Sequence, residues 1–206
     1  YDTEGDTNRM EEILNELDIV EPDLILGPFY AANVRKTSKY AFEHNIPFVP
    51  PLMQDDTSLT NNPYLFQVYP SEESELIWQA KYVSSKHSDN LLLLYKPSLK
   101  NEEQIAEFKQ LLTNHLLQKS ELDTVGFQEI VINDSLNIIL NKHLNKDTLN
   151  YAIVFSSYEP EVINALTQLH FHLRDFPINV FGQSSWQVFP NVRIDHFHDL
   201  EATIYS

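Results

Sequence analysis

The chain has 206 residues, a formal net charge of −16 at pH 7 and a pI near 4.7. That acidity repels phosphate backbones and anionic bilayers, so nucleic-acid partners and membrane surfaces are disfavoured. Cysteine is absent, which excludes disulfides, thiolate chemistry and cysteine-ligated zinc or iron–sulfur centres.

Hydrophobic residues make up 42% of the chain, enough for a core. No window approaches the roughly 18 uninterrupted apolar residues of a membrane span, so no membrane insertion is expected. The start, Tyr1-Asp2-Thr3-Glu4-Gly5-Asp6, is too polar for a signal peptide. From Thr7 to Val20, the residues Met10, Ile13, Leu14 and Leu17 recur at helical spacing. Asp23 to Leu26 reads as a short buried strand ending in Gly27-Pro28. Asn33 to Asn45 reads as a helix packing through Val34, Tyr40, Ala41 and Phe42. Ile46 to Val49 is a second strand, closed by Pro50-Pro51. Gln54 to Asn62 is polar and loop-like, and Tyr64 to Tyr69 is extended up to Pro70. Ser71-Glu72-Glu73-Ser74 marks a helix start, because acids favour the positive end of the helix dipole. That helix runs to about Lys86. Asn90 to Tyr95 is a fully buried strand, and Glu102 to Lys119 a long amphipathic helix. Then come a strand from Phe127 to Ile132, a helix from Ser135 to Leu144 and a strand from Tyr151 to Phe155. A helix from Glu159 to His172 and strands at Ile178 to Phe181 and Ala202 to Tyr205 complete the series. Short apolar runs alternating with helices imply parallel βαβ units. The expected fold class is therefore α/β, with central strands at Leu24, Phe48, Leu92, Ile130 and Ile153.

In open α/β sheets, ligands bind at the carboxyl ends of the strands. The loops there are Gly27-Pro28-Phe29-Tyr30-Ala31-Ala32, Pro50-Pro51-Leu52, Tyr95-Lys96-Pro97-Ser98, Ser156-Ser157-Tyr158 and Gly182-Gln183-Ser184-Ser185-Trp186. Right-handed crossovers bring such loops to one edge. Phe29, Tyr30, Ala31, Tyr95, Ser156, Ser157 and Trp186 are the candidate ligand-binding residues. Tyrosine and tryptophan supply apolar faces with one polar handle each, which suits a ligand with an apolar body and few charges. No arginine stands in these loops, which disfavours a free carboxylate. The competing reading is that the aromatics are packing and nothing binds. His170-x-His172 lies on a helix and points two ways, a poor chelator; His196-x-His198, flanked by Asp195 and Asp199, would suit zinc only on a strand. No metal is expected. Glu72, Glu73 and Glu75 fit a helix N-terminus better than paired catalytic acids. With four glycines, no Gly-x-Gly-x-x-Gly, no phosphate loop and no Gly-x-Ser-x-Gly around Ser156-Ser157, neither a cofactor nor catalysis is expected.

Taken in order, Tyr1-Asp2-Thr3-Glu4-Gly5-Asp6, Asp23-Leu24-Ile25-Leu26-Gly27-Pro28, Ile46-Pro47-Phe48-Val49-Pro50-Pro51 and Tyr64-Leu65-Phe66-Gln67-Val68-Tyr69-Pro70-Ser71, followed by a buried strand, resemble the type I periplasmic-binding-protein fold. The resemblance implies two Rossmann-like lobes, residues 1–69 and 70–206, joined near Tyr69-Pro70, with a small-molecule ligand in the cleft between them. It implies a non-enzymatic, extracytoplasmic solute-binding or sensor-like domain of the ABC-transporter kind, in the periplasm or cell envelope. Within the family the chain is most similar to receptor-like domains of Gram-negative envelope proteins, some of which also carry LysM modules. That implies the alternative of a ligand-free interaction or scaffold domain with a peptidoglycan-related partner.

The family opens with a strand and helix before the segment matching Tyr1 to Asp6 and continues beyond Ser206. The resemblance thus implies an interior piece with an incomplete first lobe, whose open sheet edge invites a homodimer. Relatives that bind amino acids hold the ligand carboxylate with serine or threonine hydroxyls after the Gly-Pro and Ile-Pro strands. Phe29, Tyr30, Ala31, Ala32, Pro50 and Pro51 stand there instead. A less polar cleft, walled by Phe29, Tyr30, Tyr95, Tyr158 and Trp186, is the expectation that remains.

Overall fold

A computed structural model describes residues 1–3, 5–51, 61–68, 70–86, 90–119 and 126–205. Leu52, Gln54 and most of the expected loop up to Asn62, and Tyr69 at the expected crossover, lie outside the described residues. The chain divides into two units, Tyr1–Glu75 and Leu76–Ser206.

In the first unit, helix α1 (Thr7–Val20) starts where the Asp6 carboxylate accepts the Asn8 N–H at 2.7 Å. It ends at Glu21, which takes a left-handed φ of 50° and donates its N–H to Leu17. Met10, Ile13 and Leu17 face inward, as their spacing predicts. Strand β1 (Ile25–Leu26), helix α2 (Ala31–His44) and strand β2 (Phe48–Val49) follow. The strands pair in parallel, Ile25 opposite Phe48, and Leu65 bridges to Phe48 on the other side. Phe48, Val34 and Ala41 form one small core, and Ile13, Leu17 and Tyr40 another. Two expectations need correction. Leu24 precedes the paired segment and is exposed, so Ile25 is the inward residue. Phe42 is exposed, because the buried side of α2 is completed by Asn33, Thr37 and Ser38. Helix packing turned a polar stripe inward; Thr37 satisfies its hydroxyl on the Asn33 carbonyl at 2.9 Å.

Helix α3 (Glu72–Ser85) spans the division. The second unit then runs β3 (Asn90–Tyr95), α4 (Glu102–Lys119), β4 (Gln128–Val131), α5 (Leu136–His143), β5 (Asn150–Phe155), α6 (Glu159–His172), β6 (Ile178–Gly182), α7 (Ile194–Asp199) and β7 (Thr203–Ile204). The five strands form one parallel sheet in the order β4-β3-β5-β6-β7. Leu92, Leu94, Ala152, Val154 and Val180 pack on one face with α5 and α6. Leu91, Leu93, Ile153 and Phe181 pack on the other with α3 and α4. Burial of both faces is why β3 and β5 read as continuous apolar runs. A 3-10 turn at Ser184–Val188 and helix α7 were not expected; each is too short to show a period. No helix among the described residues is long and apolar enough to cross a membrane.

Amide side chains tie the amino ends of the strands together. Fully buried Asn150 donates to the carbonyls of Asn145 and Pro177, each at 2.8 Å. Its own oxygen accepts the Asn145 N–H and the Asn90 amide, each at 2.7 Å. The Asn90 oxygen in turn accepts the Gln128 amide at 2.6 Å. Asn150→Ala leaves several buried partners unpaired, so a loss of about 3 kcal/mol is expected in urea unfolding, with little change in m.

Candidate functional site

Strand β3 has β4 on one side and β5 on the other, with α4 and α5–α6 on opposite faces of the sheet. This is the order that opens a crevice at the carboxyl ends of the two central strands, the topological switch point. The register puts Tyr95 opposite Phe155. The next residues, Lys96 and Ser156, therefore emerge side by side.

The groups gathered there come from β3, β5 and the first turn of α6. Buried Ser156 donates its hydroxyl to Glu161 Oε2 at 2.7 Å and accepts the Tyr158 N–H at 3.1 Å. Lys96 Nζ lies 3.7 Å from Glu161 Oε1. The Glu161 side chain keeps only 16% exposure, while Ser157 and Tyr158 are open to solvent. Glu159 accepts the Asn191 N–H at 2.8 Å. The amino end of α6 is a natural anion site, but Glu159 and Glu161 already place carboxylates on its first turn. The edge thus offers a sheltered carboxylate, an ammonium and an exposed phenol ring. Lys96 and Glu161 escaped the sequence reading. Glu161 was legible only as a helix-start acid, and Lys96 carried no pattern of its own.

Two expected ligand residues are instead buried. Trp186 is 1% exposed, and its indole N–H donates to the Ser156 carbonyl at 2.9 Å. Its ring sits against Gly182, where an added Cβ would fall 2.2 Å from it. Trp186 therefore supports the Ser156 turn from the core and offers no face to a ligand. Tyr95 is also buried; its hydroxyl donates to Glu129 at 2.7 Å and accepts from Lys109 at 2.9 Å. The Lys109 ammonium lies 4.2 Å from the Tyr95 ring centre. Lys109, then Tyr95, hold the Glu129 carboxyl below its usual range. Burial pulls Lys109 down, but bonds to Glu129 and Tyr95 outweigh it and the ammonium is held above its usual range.

In the first unit, Phe29, Tyr30 and Ala31 are exposed after β1, past Gly27, whose φ of 94° requires glycine. The Tyr30 carbonyl accepts the N–H groups of Asn33 and Val34 at the start of α2. Asn33 is fully buried, and neither of its side-chain amide atoms has a partner among the described residues. Such an orphan marks a position with unmet polar demand.

His196 and His198 lie on helix α7, not on a strand, so they diverge. Among the described residues no three histidine or carboxylate groups are placed to share an ion. His196 is buried with its ring stacked 4.6 Å from His170, and His170 contacts Asp199 at 2.8 Å. Buried His172 bonds to the Asn137 carbonyl.

No protein-family model matches the sequence, and no curated protein matches it. Solved structures do. One, named as a branched-chain amino acid ABC transporter of Rhodospirillum rubrum, is 12% identical with a TM-score of 0.64, over 97% of this chain and 54% of its own. The chain has the type I periplasmic-binding-protein-like fold. A substrate-binding protein of an ABC transporter from Desulfitobacterium hafniense, in complex with Leu, is 10% identical with a TM-score of 0.50, over 98% of this chain and 63% of its own. Full-length LpoA of Haemophilus influenzae is 12% identical with a TM-score of 0.57, over 99% of this chain and 36% of its own. The chain thus spans between 36% and 63% of the length of these periplasmic-binding-protein-like structures.

Two outcomes test the support of the site. Gly182→Ala drives a methyl group into the Trp186 ring, so a loss of about 2 kcal/mol is expected in urea unfolding, with altered tryptophan emission. Burial first, then the neighbouring His170, hold the His196 imidazole below its ordinary value of 6.5; Arg193 acts in the same direction, and Asp195 and Asp199 oppose them. The unfolded chain therefore takes up this proton first. Stability is expected to fall as pH drops below 6.5, and to go on falling until the folded-state value is passed. His196→Gln should flatten that decline in melting temperatures measured across the range.

Proposed function

We propose that the chain is part of a non-enzymatic, extracytoplasmic solute-binding or sensor-like protein of the periplasm or cell envelope. The observation that carries this is the exposed Ser157–Tyr158 turn between Lys96 and Glu161 at the switch point of a periplasmic-binding-protein-like fold. The Leu complex of the D. hafniense neighbour supports a small organic ligand. The site's own chemistry shapes its class. Carboxylates already occupy the start of α6, so an anionic headgroup would be repelled there. Tyr158 offers a flat apolar face, and Glu161 accepts a hydrogen bond. The ligand proposed has an apolar body and a donating group. Within the second unit, Ser157 and Tyr158 are the proposed ligand residues, with Ser156 holding the turn beneath them.

A second reading is a ligand-free interaction domain in the cell envelope, with a peptidoglycan-related partner. The likeness to LpoA supports it, as does the burial of Tyr95 and Trp186, which removes two of the expected aromatic faces. Self-association through β1 belongs to the same reading, since Leu24 and Leu26 are exposed there.

Calorimetry of the chain against free amino acids and muropeptide fragments tests both. The first reading expects a ligand whose affinity falls about tenfold or more in both Tyr158→Ala and Glu161→Gln. Binding of any panel member that is indifferent to both substitutions would refute the placement of the site. A panel that fails throughout would favour the interaction domain.

A further inference from the structure

The strongest unassigned feature lies in the first unit, at the opposite edge of its sheet from Tyr30. A cavity of about 550 Å³ opens where α1 and α2 end and β1 and β2 begin. That volume falls within the range of small-molecule sites, about 300–1,000 Å³. Leu17, Pro22, Ile46 and Pro47 give it apolar walls.

Its polar lining is mainly acidic. Asp18, Glu21 and Asp23 are carboxylates, beside His44 and Asn45, and among the described residues no lysine or arginine lines the cavity. The helix ends add to this. Both α1 and α2 bring their carboxyl termini here, the negative ends of their dipoles. Two aromatic rings also line it. Tyr40 and His44 stack with centroids 4.0 Å apart, the Tyr40 hydroxyl donates to Asp18 at 2.8 Å, and His44 Nε2 lies 3.3 Å from the same oxygen. His44 Nδ1 is in turn 2.9 Å from the Tyr40 carbonyl. Burial first, then Asp18, push the Tyr40 phenol up to about 12, so the phenol stays neutral. The rings are thus fixed by their own bonds. The Glu21 and Asp23 side chains have no hydrogen-bond or ion-pair partner among the described residues.

We infer that this cavity binds a small organic amine, with its ammonium among Asp18, Glu21 and Asp23 and its apolar body against Tyr40 and Ile46. The features act together: the half-open cavity seats the body, the rings and prolines line it, and the exposed carboxylates with two helix ends select the positive charge. The inference is independent of the ligand proposed above, because none of its residues belongs to that site.

The test is calorimetry of the whole chain with phenethylamine, beside phenylacetate and benzyl alcohol as the anionic and neutral analogues. Phenethylamine should bind, and the other two at least about tenfold more weakly. The double variant Glu21→Gln/Asp23→Asn alters exposed side chains only, so it should keep the melting temperature and lose about tenfold in affinity for the amine. Tyr40→Ala should weaken it as well, and Tyr158→Ala should leave it unchanged. Equal binding of the neutral or anionic analogue would overturn the inference. So would amine binding that survives the double variant, or no amine binding at millimolar concentration.

Discussion

The chain of amides at the amino ends of β4, β3 and β5 is the constraint on which the second unit depends. Parallel strands buried on both faces have no turn to fix their alignment, and a slip of one residue would exchange the faces of the whole strand. Asn90 opposite Asn150 removes that freedom, and Gln128 extends the constraint to β4. With the starts aligned, the ends are aligned too, so Tyr95 meets Phe155 and Lys96 meets Ser156. The polar group that gathers at the crevice is therefore set from the far edge of the sheet.

At the crevice itself, order is built in layers. Trp186 fills the space that Gly182 leaves open and holds the Ser156 carbonyl. Ser156 then holds both Glu161 and the Tyr158 backbone. What reaches solvent is the outermost layer only, Ser157 and the Tyr158 ring with the Lys96 ammonium. A ligand arriving there meets side chains whose supports are already bonded, and that lowers the ordering cost of binding.

Much of the architecture was legible in the residues because it rests on local signals. The apolar runs Asn90–Tyr95 and Tyr151–Phe155 announce strands covered on both sides, and the spacing of Met10, Ile13 and Leu17 announces α1. The candidate site was less legible. Tyr95 and Trp186 stand in the loops where ligand residues are expected, yet long-range partners bury them: Lys109 and Glu129 for one, Gly182 and Ser156 for the other. A single sequence carries no mark of such pairings. Phe42 failed for a related reason. Hydropathy favours phenylalanine inside, while α2 turns Thr37 and Ser38 inward and meets their needs through the Asn33 carbonyl and the Asn62 amide. Lys96 and Glu161 are ordinary surface types that become a pair only through the strand order.

The choice of amides for the lock has a consequence for how the protein meets its surroundings. An amide neither titrates nor carries a net charge, so bonds among Asn90, Gln128 and Asn150 are indifferent to acidity and are barely screened by salt. The contact between α6 and α7 is of another kind, made by stacked imidazoles with a carboxylate alongside. The same unit thus combines a frame insulated from the ionic medium with a periphery that responds to it. Changes of solution conditions should therefore loosen the periphery long before they disturb the alignment of the strands.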